Sequence, residues 1–170
     1  MNRIVVIGSG GSGKSTFSRE LGKLINIPVF HLDSLYWGPN WEKTPDNEWV
    51  ETQKRYIRKE KWILDGNFSS TLEMRMKVAD TIIFLDLSKY ICVFRAFKRS
   101  IKYYGKTRSD MGNECYEKFD MNFLKWIWEF PQNGRLKILN HLNTLNSKEK
   151  TVILLKSPKE VRKFLSSLEL

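Results

Sequence analysis

A nine-residue segment near the start of the chain constrains the fold more than any other feature. The segment at residues 8–16 has the sequence GSGGSGKST and matches the pattern GxxxxGK[ST]. An apolar run, Arg3–Ile7, precedes it, and a stretch with helical periodicity follows it. Glycines let the backbone curl so that successive N–H groups face phosphate oxygens, and the following helix adds the positive end of its dipole. The segment therefore predicts a strand–loop–helix unit that binds the phosphates of a nucleoside triphosphate.

Residues of this phosphate-binding loop have expected tasks in binding ATP and Mg²⁺. The Lys14 ammonium would reach the β- and γ-phosphates, and the Ser15 hydroxyl would ligate Mg²⁺. The ATP-binding residues expected in the segment are Gly8, Ser9, Gly10, Gly11, Ser12, Gly13, Lys14, Ser15 and Thr16. The motif predicts phosphate binding only, because kinases, GTPases, motors and regulators share it.

The rest of the chain alternates short β-branched runs with longer segments of helical periodicity. The predicted strands are Arg3–Ile7, Pro28–His31, Trp62–Asp65, Thr81–Asp86 and Thr151–Leu155. The predicted helices lie at about 14–26, 46–60, 69–78, 88–104, 117–129, 133–147 and 158–167. Apolar residues are consecutive within the strands, which indicates burial on both faces, as in a parallel sheet covered by helices. At 170 residues the chain fits one domain, so we expect a doubly wound, three-layer α/β/α fold around five parallel strands.

Composition limits the partners and the location of the protein. Lys and Arg outnumber Asp and Glu by 29 to 19, and the net charge of +10 suits an anionic partner. Nucleic acid, an anionic membrane surface and a phosphate-rich small molecule all satisfy this condition. The aliphatic runs are too short to span a bilayer, which needs about 20 residues. Cys92 and Cys115 have no CxxC partner, which predicts free thiols in a reducing cytoplasm.

Three aspartates follow predicted strands, at the edge where open α/β sheets bind ligands. Asp65 closes the run Trp62–Asp65 and is expected to support Mg²⁺. Asp33 follows the second strand, where it would orient an acceptor or take the proton of an attacking hydroxyl group. Asp86 precedes a helix and is expected to cap it. Capping of a helix or turn is also the structural alternative for the other two.

A basic segment follows the fourth predicted strand. From Lys89 to Arg108 there are seven Lys or Arg residues and no acid. The residues spaced to share a basic helix face are Arg95, Arg99, Lys102 and Lys106. The apolar residues expected to pack on the sheet are Ile91, Phe94, Phe97 and Ile101. Arginines at this position can clamp a transferring phosphoryl group, and binding to nucleic acid or a membrane surface is the rival interpretation.

Aromatic residues add candidates for an acceptor pocket. Trp37 and Trp41 flank a Gly-Pro-Asn turn, and we expect them to line or cover such a pocket. Trp126 and Trp128 lie in an apolar helix, where core packing or an oligomer contact is the default. The residues expected to take no part in the chemistry are His31 and His141.

With these motifs together, the chain resembles the adenylate-kinase-like P-loop family, and in particular the small bacterial topology modulation proteins. The segments that carry the likeness span most of the chain and are GSGGSGKST, HLDSLYW, WILDGN, ADTIIFLDLS, FRAFKR, GKTRSDM and LLKSP. The resemblance implies a nucleoside-monophosphate-kinase-like fold in a single domain. It also implies an acceptor-binding insert at about residues 31–60 and a lid at about 103–120.

The resemblance implies tasks for individual residues as well. Asp65 matches the acid of a D-G motif that supports Mg²⁺ in these kinases. Arg95 and Arg99 match two arginines four residues apart, of which one lies near the base and one on the phosphates. Arg108 falls in a T-R-x-D piece of the lid, and Lys156 falls where the backbone approaches adenine.

One departure from the family concerns the acceptor. Monophosphate kinases place an arginine soon after the D-G motif, whereas this chain has Asn-Phe-Ser-Ser at 67–70. We therefore expect Arg75 to grip the acceptor instead. The substrate-binding residues expected in total are Asp33, Trp37 and Arg75.

Two functions are consistent with the sequence. The first is an ATP- and Mg²⁺-dependent kinase of a small nucleotide-like or hydroxyl acceptor. Its transition state would be neutralised by Lys14, Arg95, Arg99 and Arg108. The second is a regulatory or DNA-topology-modulating protein that binds ATP as a switch and nucleic acid through its basic surface. Strand-end acids and lid arginines have a task only if phosphoryl transfer occurs, which favours the kinase.

Overall fold

A computed structural model describes residues 1–145 and 150–169 of the chain. The strands in these ranges are β1 (Arg3–Gly8), β2 (Val29–His31), β3 (Trp37–Gly38), β4 (Glu42–Lys43), β5 (Trp62–Asp65), β6 (Thr81–Leu85) and β7 (Thr151–Leu155). The helices are α1 (Lys14–Ile25), α2 (Leu32–Tyr36), α3 (Asp46–Ile57), α4 (Ser69–Val78), α5 (Lys89–Lys102), α6 (Met121–Glu129), α7 (Gly134–Thr144) and α8 (Pro158–Ser166). The helix predicted at 133–147 thus ends at Thr144, and its last two predicted residues, 146 and 147, lie outside the described ranges.

Five strands form one parallel sheet in the order β2–β5–β1–β6–β7. The central strand β1 alternates its side chains between two cores, with Ile4 and Val6 on one face and Val5 and Ile7 on the other. All four side chains are fully buried, as the consecutive apolar residues predicted. Helices α1, α5, α6 and α8 contribute to one core, and α3, α4 and α7 to the other. The three-layer α/β/α fold is therefore confirmed.

Helix α5 packs on the sheet side through a different face from the one expected. Its buried residues are Cys92, Ala96 and Ser100, whereas Phe94 and Ile101 are 65% and 63% exposed. The reason is the closeness of the phosphate-binding loop: a Cβ atom on Gly11 would lie 2.2 Å from the carbonyl oxygen of Cys92. Only small side chains fit between backbones that approach so closely, so the large apolar residues face outward.

Helix α6 also differs from its prediction. It begins at Met121 rather than at 117, because the Asp120 side chain accepts hydrogen bonds from the backbone N–H groups of Asn122 and Phe123. Trp126 and Trp128 are each 45% exposed, so core packing was wrong for both. Lys89 lies 3.8 Å from the centre of the Trp128 ring. Across residues 1–145 and 150–169, the structure has no helix with the length and apolarity that a bilayer crossing requires.

Candidate active site

The carboxyl ends of the strands bring most of the predicted site residues to one edge of the sheet. The strand order places β2 and β5 on one side of β1, and β6 and β7 on the other. A cavity of about 820 Å³ lies along this edge. Asp33 and Asp65 line it on the β2 and β5 side, and Pro158 and Arg162 line it beyond the end of β7. The phosphate-binding loop, which follows β1, lies between these two sides.

The phosphate-binding loop lines the centre of the cavity with Gly10 to Thr16. Gly11 and Gly13 have φ angles of 72° and 92°, a left-handed conformation that favours glycine, and helix α1 begins directly after Gly13. The hydroxyl oxygen of Ser12, which lines the cavity, is buried and has no hydrogen-bond partner among the described residues. The loop therefore presents donors and a helix N-terminus to the cavity, which is the arrangement that anionic phosphate requires.

Lys14 folds back onto the loop that precedes it. Its Nζ donates to the carbonyl oxygens of Gly8 and Ser9, at 3.0 and 2.9 Å. Gly8 and Ser9 do not line the cavity themselves, so their contribution is to hold this ammonium. Burial lowers the pKa of Lys14, while the charges of Asp33 and Asp65 oppose that shift. Phosphate oxygens would supply Lys14 with stronger partners than these carbonyls.

Asp65 has an unused oxygen at the site where Mg²⁺ was expected. Its side chain is buried, and its Oδ1 lies 2.9 Å from His31 Nδ1. Its Oδ2 is buried and has no hydrogen-bond partner in residues 1–145 and 150–169. Among the described residues, no group of three or more His, Cys, Asp or Glu side chains forms a self-sufficient metal site. Mg²⁺ that takes most of its ligands from phosphates and water would fit here, and Ser15 and Asp65 would be the ligands that the protein supplies.

His31 was expected to be non-catalytic, yet its ring contacts a predicted metal residue. Burial alone would lower the pKa of His31, but its hydrogen bond to Asp65 and the charge of that carboxylate raise it above the ordinary value of 6.5. The ring thus holds Asp65 in one orientation. No spacing rule in the sequence joins residues 31 and 65; only the pairing of β2 with β5 brings them together.

Asp33 lies in helix α2 and lines the cavity near Lys14. Burial raises its pKa, the charge of Lys14 lowers it, and the charge of Asp65 raises it further, with a net upward shift. A carboxylate whose pKa is raised toward neutrality accepts a proton more readily than an ordinary one. Its position and environment therefore suit the task of accepting a hydroxyl proton.

The three arginines predicted to neutralise the transition state, Arg95, Arg99 and Arg108, all line the cavity. Arg95 donates to the carbonyl oxygen of Ser12 at 3.4 Å, which places it on the phosphate-binding loop. Arg99 and Arg108 share the carboxylate of Glu117, at 3.7 and 2.8 Å. Two arginines of the expected basic stripe, Arg95 and Arg99, thus line the cavity, although Arg95 is also exposed.

Residues 103–120, the expected lid, contact both the loop and the tryptophan segment. Asp110 forms an ion pair with Arg108 at 3.1 Å. Burial raises the pKa of Asp110, but the charge of Arg108 and a hydrogen bond from Ser15 hold it below the ordinary value. The indole N–H of Trp41 donates to the carbonyl oxygen of Tyr116 at 3.1 Å. This segment therefore lies over the cavity.

Trp37 and Trp41 line the cavity, as expected for residues that cover an acceptor. Their rings lie 5.7 Å apart in a T-shaped arrangement, and Trp37 also contacts Tyr36. The ring of Phe68 lines the same cavity and packs on Tyr36 at 4.8 Å. The hairpin of β3 and β4 holds the two tryptophans in place.

The structure does not bring Arg75 to the cavity. Arg75 is fully buried, and its guanidinium donates to the backbone carbonyls of Gly66, Asn67 and Phe68. Burial lowers its pKa to about 9. Asn67 in turn bonds both the N–H and the carbonyl of Gly8, at 3.1 and 2.7 Å. Arg75 thus supports the turn between β5 and α4, and Asn67 of that turn holds Gly8 at the start of the phosphate-binding loop.

Two further predicted residues lie apart from the cavity. Lys156 is exposed, and its backbone N–H donates to Glu160 at 2.8 Å; Pro158, rather than Lys156, lines the cavity. The prediction that Asp86 caps the following helix was wrong, because Ser88 occupies the N-cap position of α5. Asp86 accepts three hydrogen bonds from Arg135 of α7, because the sheet end lies beside that helix.

Comparison with known proteins gives the fold a precedent. No protein-family model matches the chain, and no curated protein matches it by sequence. Shikimate kinase from Acinetobacter baumannii, solved in complex with shikimate, matches 99% of this chain and 90% of its own, with a TM-score of 0.66 and 10% identity. A gluconokinase from Sinorhizobium meliloti 1021 matches 98% of this chain and 91% of its own, with a TM-score of 0.54 and 18% identity.

A second shikimate kinase, from Bacteroides thetaiotaomicron, matches 99% of this chain and 96% of its own, with a TM-score of 0.57 and 13% identity. At identities this low, the likeness concerns the fold. The chain therefore has the P-loop kinase fold, with five parallel strands and helices on both faces.

Proposed function

We propose that the protein is an ATP- and Mg²⁺-dependent kinase that phosphorylates a hydroxyl group of a small acceptor. The observation that carries the proposal is one cavity that joins a phosphate-binding loop, a buried strand-end acid and three arginines. A switch that only bound ATP would have no use for Asp33 beside the loop. The kinase names of the structural neighbours support the same reaction.

The residues have distinct tasks in the proposed reaction. The acceptor oxygen bonds to the γ-phosphorus while the bond to the β-phosphate oxygen breaks, ADP leaves, and Asp33 takes the hydroxyl proton. Lys14 exchanges its loop carbonyls for phosphate oxygens, and Arg95 and Arg99 neutralise the charge on the transferring group. Mg²⁺, held by Ser15 and Asp65 with the phosphates, supplies Lewis-acid charge neutralisation when bound.

The proposal also includes the tasks of individual segments and the location of the protein. Residues 31–60 would form the acceptor-binding part and 103–120 the lid of a single domain, and the protein would act in the cytoplasm. Arg108, which lies in the lid, would add its charge when acceptor and ATP are both bound. The resemblance to topology modulation proteins stays a prediction, and the kinase names of the structural neighbours give it no support.

ADP release with Mg²⁺-ATP, measured across a panel of small hydroxyl compounds, tests the function. We expect at least one acceptor to stimulate release, and Lys14→Ala to reduce that rate at least about a hundredfold. Lys23→Ala, an exposed lysine later in the same helix, is the matched control and should leave the rate unchanged. ATP that binds tightly while no acceptor stimulates release would contradict the kinase.

A further inference from the structure

Four large apolar side chains form a stripe along the outer face of α5. The stripe consists of Tyr90, Phe94, Phe97 and Ile101. Their spacing of four, three and four residues puts them on one face of the helix, over a length of about 17 Å. All four are exposed, and none of them lines the cavity of the proposed active site. A continuous apolar face that takes no part in the site indicates an interaction surface.

Two neighbouring aromatic rings widen this stripe. The ring of Trp128, in α6, lies 5.5 Å from that of Tyr90, and the ring of Phe119 lies 5.9 Å from that of Phe97. Both added rings are exposed as well. The stripe and these two rings together are called the aromatic face below. Tyr and Trp rings are amphipathic, and they are enriched where proteins meet the headgroup region of a bilayer.

The charges around the aromatic face are mainly positive. Residues 89–129 contain nine Lys or Arg and five Asp or Glu. Lys98 follows Phe97 and Lys102 follows Ile101, so both lysines flank the stripe. Both are exposed, and no ion pair joins either of them to another described residue. The aromatic face therefore has a positive edge.

Most acids of the same segment already have partners. Four of the five bond to another group of the structure: two pair with arginines, one pairs with a lysine, and one caps α6. These four are Asp110, Glu117, Glu129 and Asp120. Glu114 is exposed and has no ion pair with a described residue. The acids of residues 89–129 thus leave Lys98 and Lys102 available to an anionic partner.

Shape and charge together indicate which partner fits. A two-fold contact with a second copy would bring Lys98 and Lys102 of both chains to one interface, and each chain has a net charge of +10. Single-stranded nucleic acid stacks its bases along a positively charged groove, whereas the stripe lies on the outward face of a helix. An anionic bilayer offers phosphates to the lysines and an apolar layer to Phe94 and Ile101.

We propose that the aromatic face docks the protein on the surface of a bilayer that contains anionic lipids. The apolar side chains of α5 enter the boundary between headgroups and acyl chains, while Lys98 and Lys102 reach lipid phosphates. Docking of this kind needs no bilayer-crossing helix, and residues 1–145 and 150–169 contain none. The proposal is independent of the kinase function, because neither the stripe nor these two lysines line the cavity.

Binding of the full chain to vesicles tests the charge requirement. Vesicles of phosphatidylcholine with about a third phosphatidylserine should give a partition coefficient at least about tenfold higher than phosphatidylcholine alone, measured by flotation. Lys98→Gln with Lys102→Gln should lower the coefficient for the anionic vesicles about tenfold. Lys137→Gln is the control, because Lys137 is an exposed lysine of α7, on the opposite face of the sheet. Equal binding to both kinds of vesicle, or binding to neither, would overturn the proposal.

A second pair of variants tests the apolar requirement. Phe94→Gln with Ile101→Gln should lower the partition coefficient for the anionic vesicles at least about tenfold, because both side chains would leave the lipid. Leu136→Gln replaces an exposed leucine of α7 and should leave binding unchanged. All three side chains are exposed, so each variant should keep the Tm of the parent protein. Undiminished binding by the double variant would overturn the assignment to this face.

Two measurements without lipid distinguish other occupants of the face. Sedimentation equilibrium should show a monomer, and a dimer that dissociates in Phe94→Gln with Ile101→Gln would overturn the proposal in favour of a second copy. Oligothymidylate should bind the double variant and the parent protein equally. Loss of that binding in the double variant, in a protein that binds no vesicles, would instead assign the face to nucleic acid.

Discussion

Arg75 and His31 show how a residue's partners decide its task. Both were judged from chain position: Arg75 as an acceptor ligand because it follows the D-G motif, and His31 as non-catalytic because no metal-ligand partner stands at a useful spacing from it. The structure pairs Arg75 with three backbone carbonyls and His31 with the carboxylate of Asp65. The contacts of Arg75 reach back across a turn, and the contact of His31 joins two paired strands. No local sequence pattern predicts either contact.

Loss of Arg75 should be a defect of stability. Arg75→Met removes the donors of three buried carbonyls, so we expect the free energy of unfolding to fall by about 3 kcal/mol, measured by urea denaturation. Lys77→Ala on the same helix breaks only an exposed ion pair with Glu73 and should change little. A raised acceptor KM with unchanged unfolding energy would instead restore the role predicted from sequence.

The pair of His31 and Asp65 should make stability depend on pH. The pKa of folded His31 is raised above 6.5, so protonated His31 stabilises the fold. This contribution is complete below about pH 6.5 and is lost as the pH rises through the folded pKa. The difference in Tm between the protein and His31→Gln should therefore be largest in acid and shrink above neutrality. His141→Gln is the control, and a difference that grows with pH would refute the pairing.

At the scale of elements, the sequence predicted well which segments form strands and which form helices. All five sheet strands and seven helices were expected near their observed positions, because consecutive apolar runs and helical periodicity depend on local sequence. The short helix α2 and the hairpin of β3 and β4 were not predicted. Three of the four residues expected on the buried face of α5, Phe94, Phe97 and Ile101, are exposed, and only Ile91 packs against the core. The close approach of Gly11 to Cys92 leaves room only for small side chains on the buried face of α5. That contact joins residues 81 positions apart, so local sequence does not reveal it.

Substitution of two glycines distinguishes the effect of this close contact from the effect of backbone strain. Gly11 and Gly105 have similar φ angles, 72° and 68°, but a Cβ on Gly105 would meet nothing within 4 Å. Gly105→Ala should cost about 1 kcal/mol of stability, from the φ angle alone. Gly11→Ala adds a clash with the α5 backbone, so we expect a larger loss in thermal denaturation and at least tenfold weaker ATP binding. Equal effects of the two substitutions would show that α5 does not press on the loop.

At the scale of the whole molecule, the proposed nucleotide side of the cavity follows from the sequence more directly than the proposed acceptor side. The phosphate-binding loop is a contiguous motif, so its residues could be named from the sequence alone. The proposed acceptor side would be assembled from β2, β5, the tryptophan hairpin and residues 103–120. Its charge balance depends on which acid binds Arg108, and Glu117 was not expected there at all.

The strand order has a consequence for the design of inhibitors. The end of β2 and the end of β7 are separated by four strand spacings, about 19 Å in all. Backbone hydrogen bonds fix this separation, so it does not vary with side-chain rotamers. A single compound that tethers adenosine to the acceptor through a phosphate chain should therefore have one best linker length, and substitutions in the cavity should change its affinity but leave that length the same.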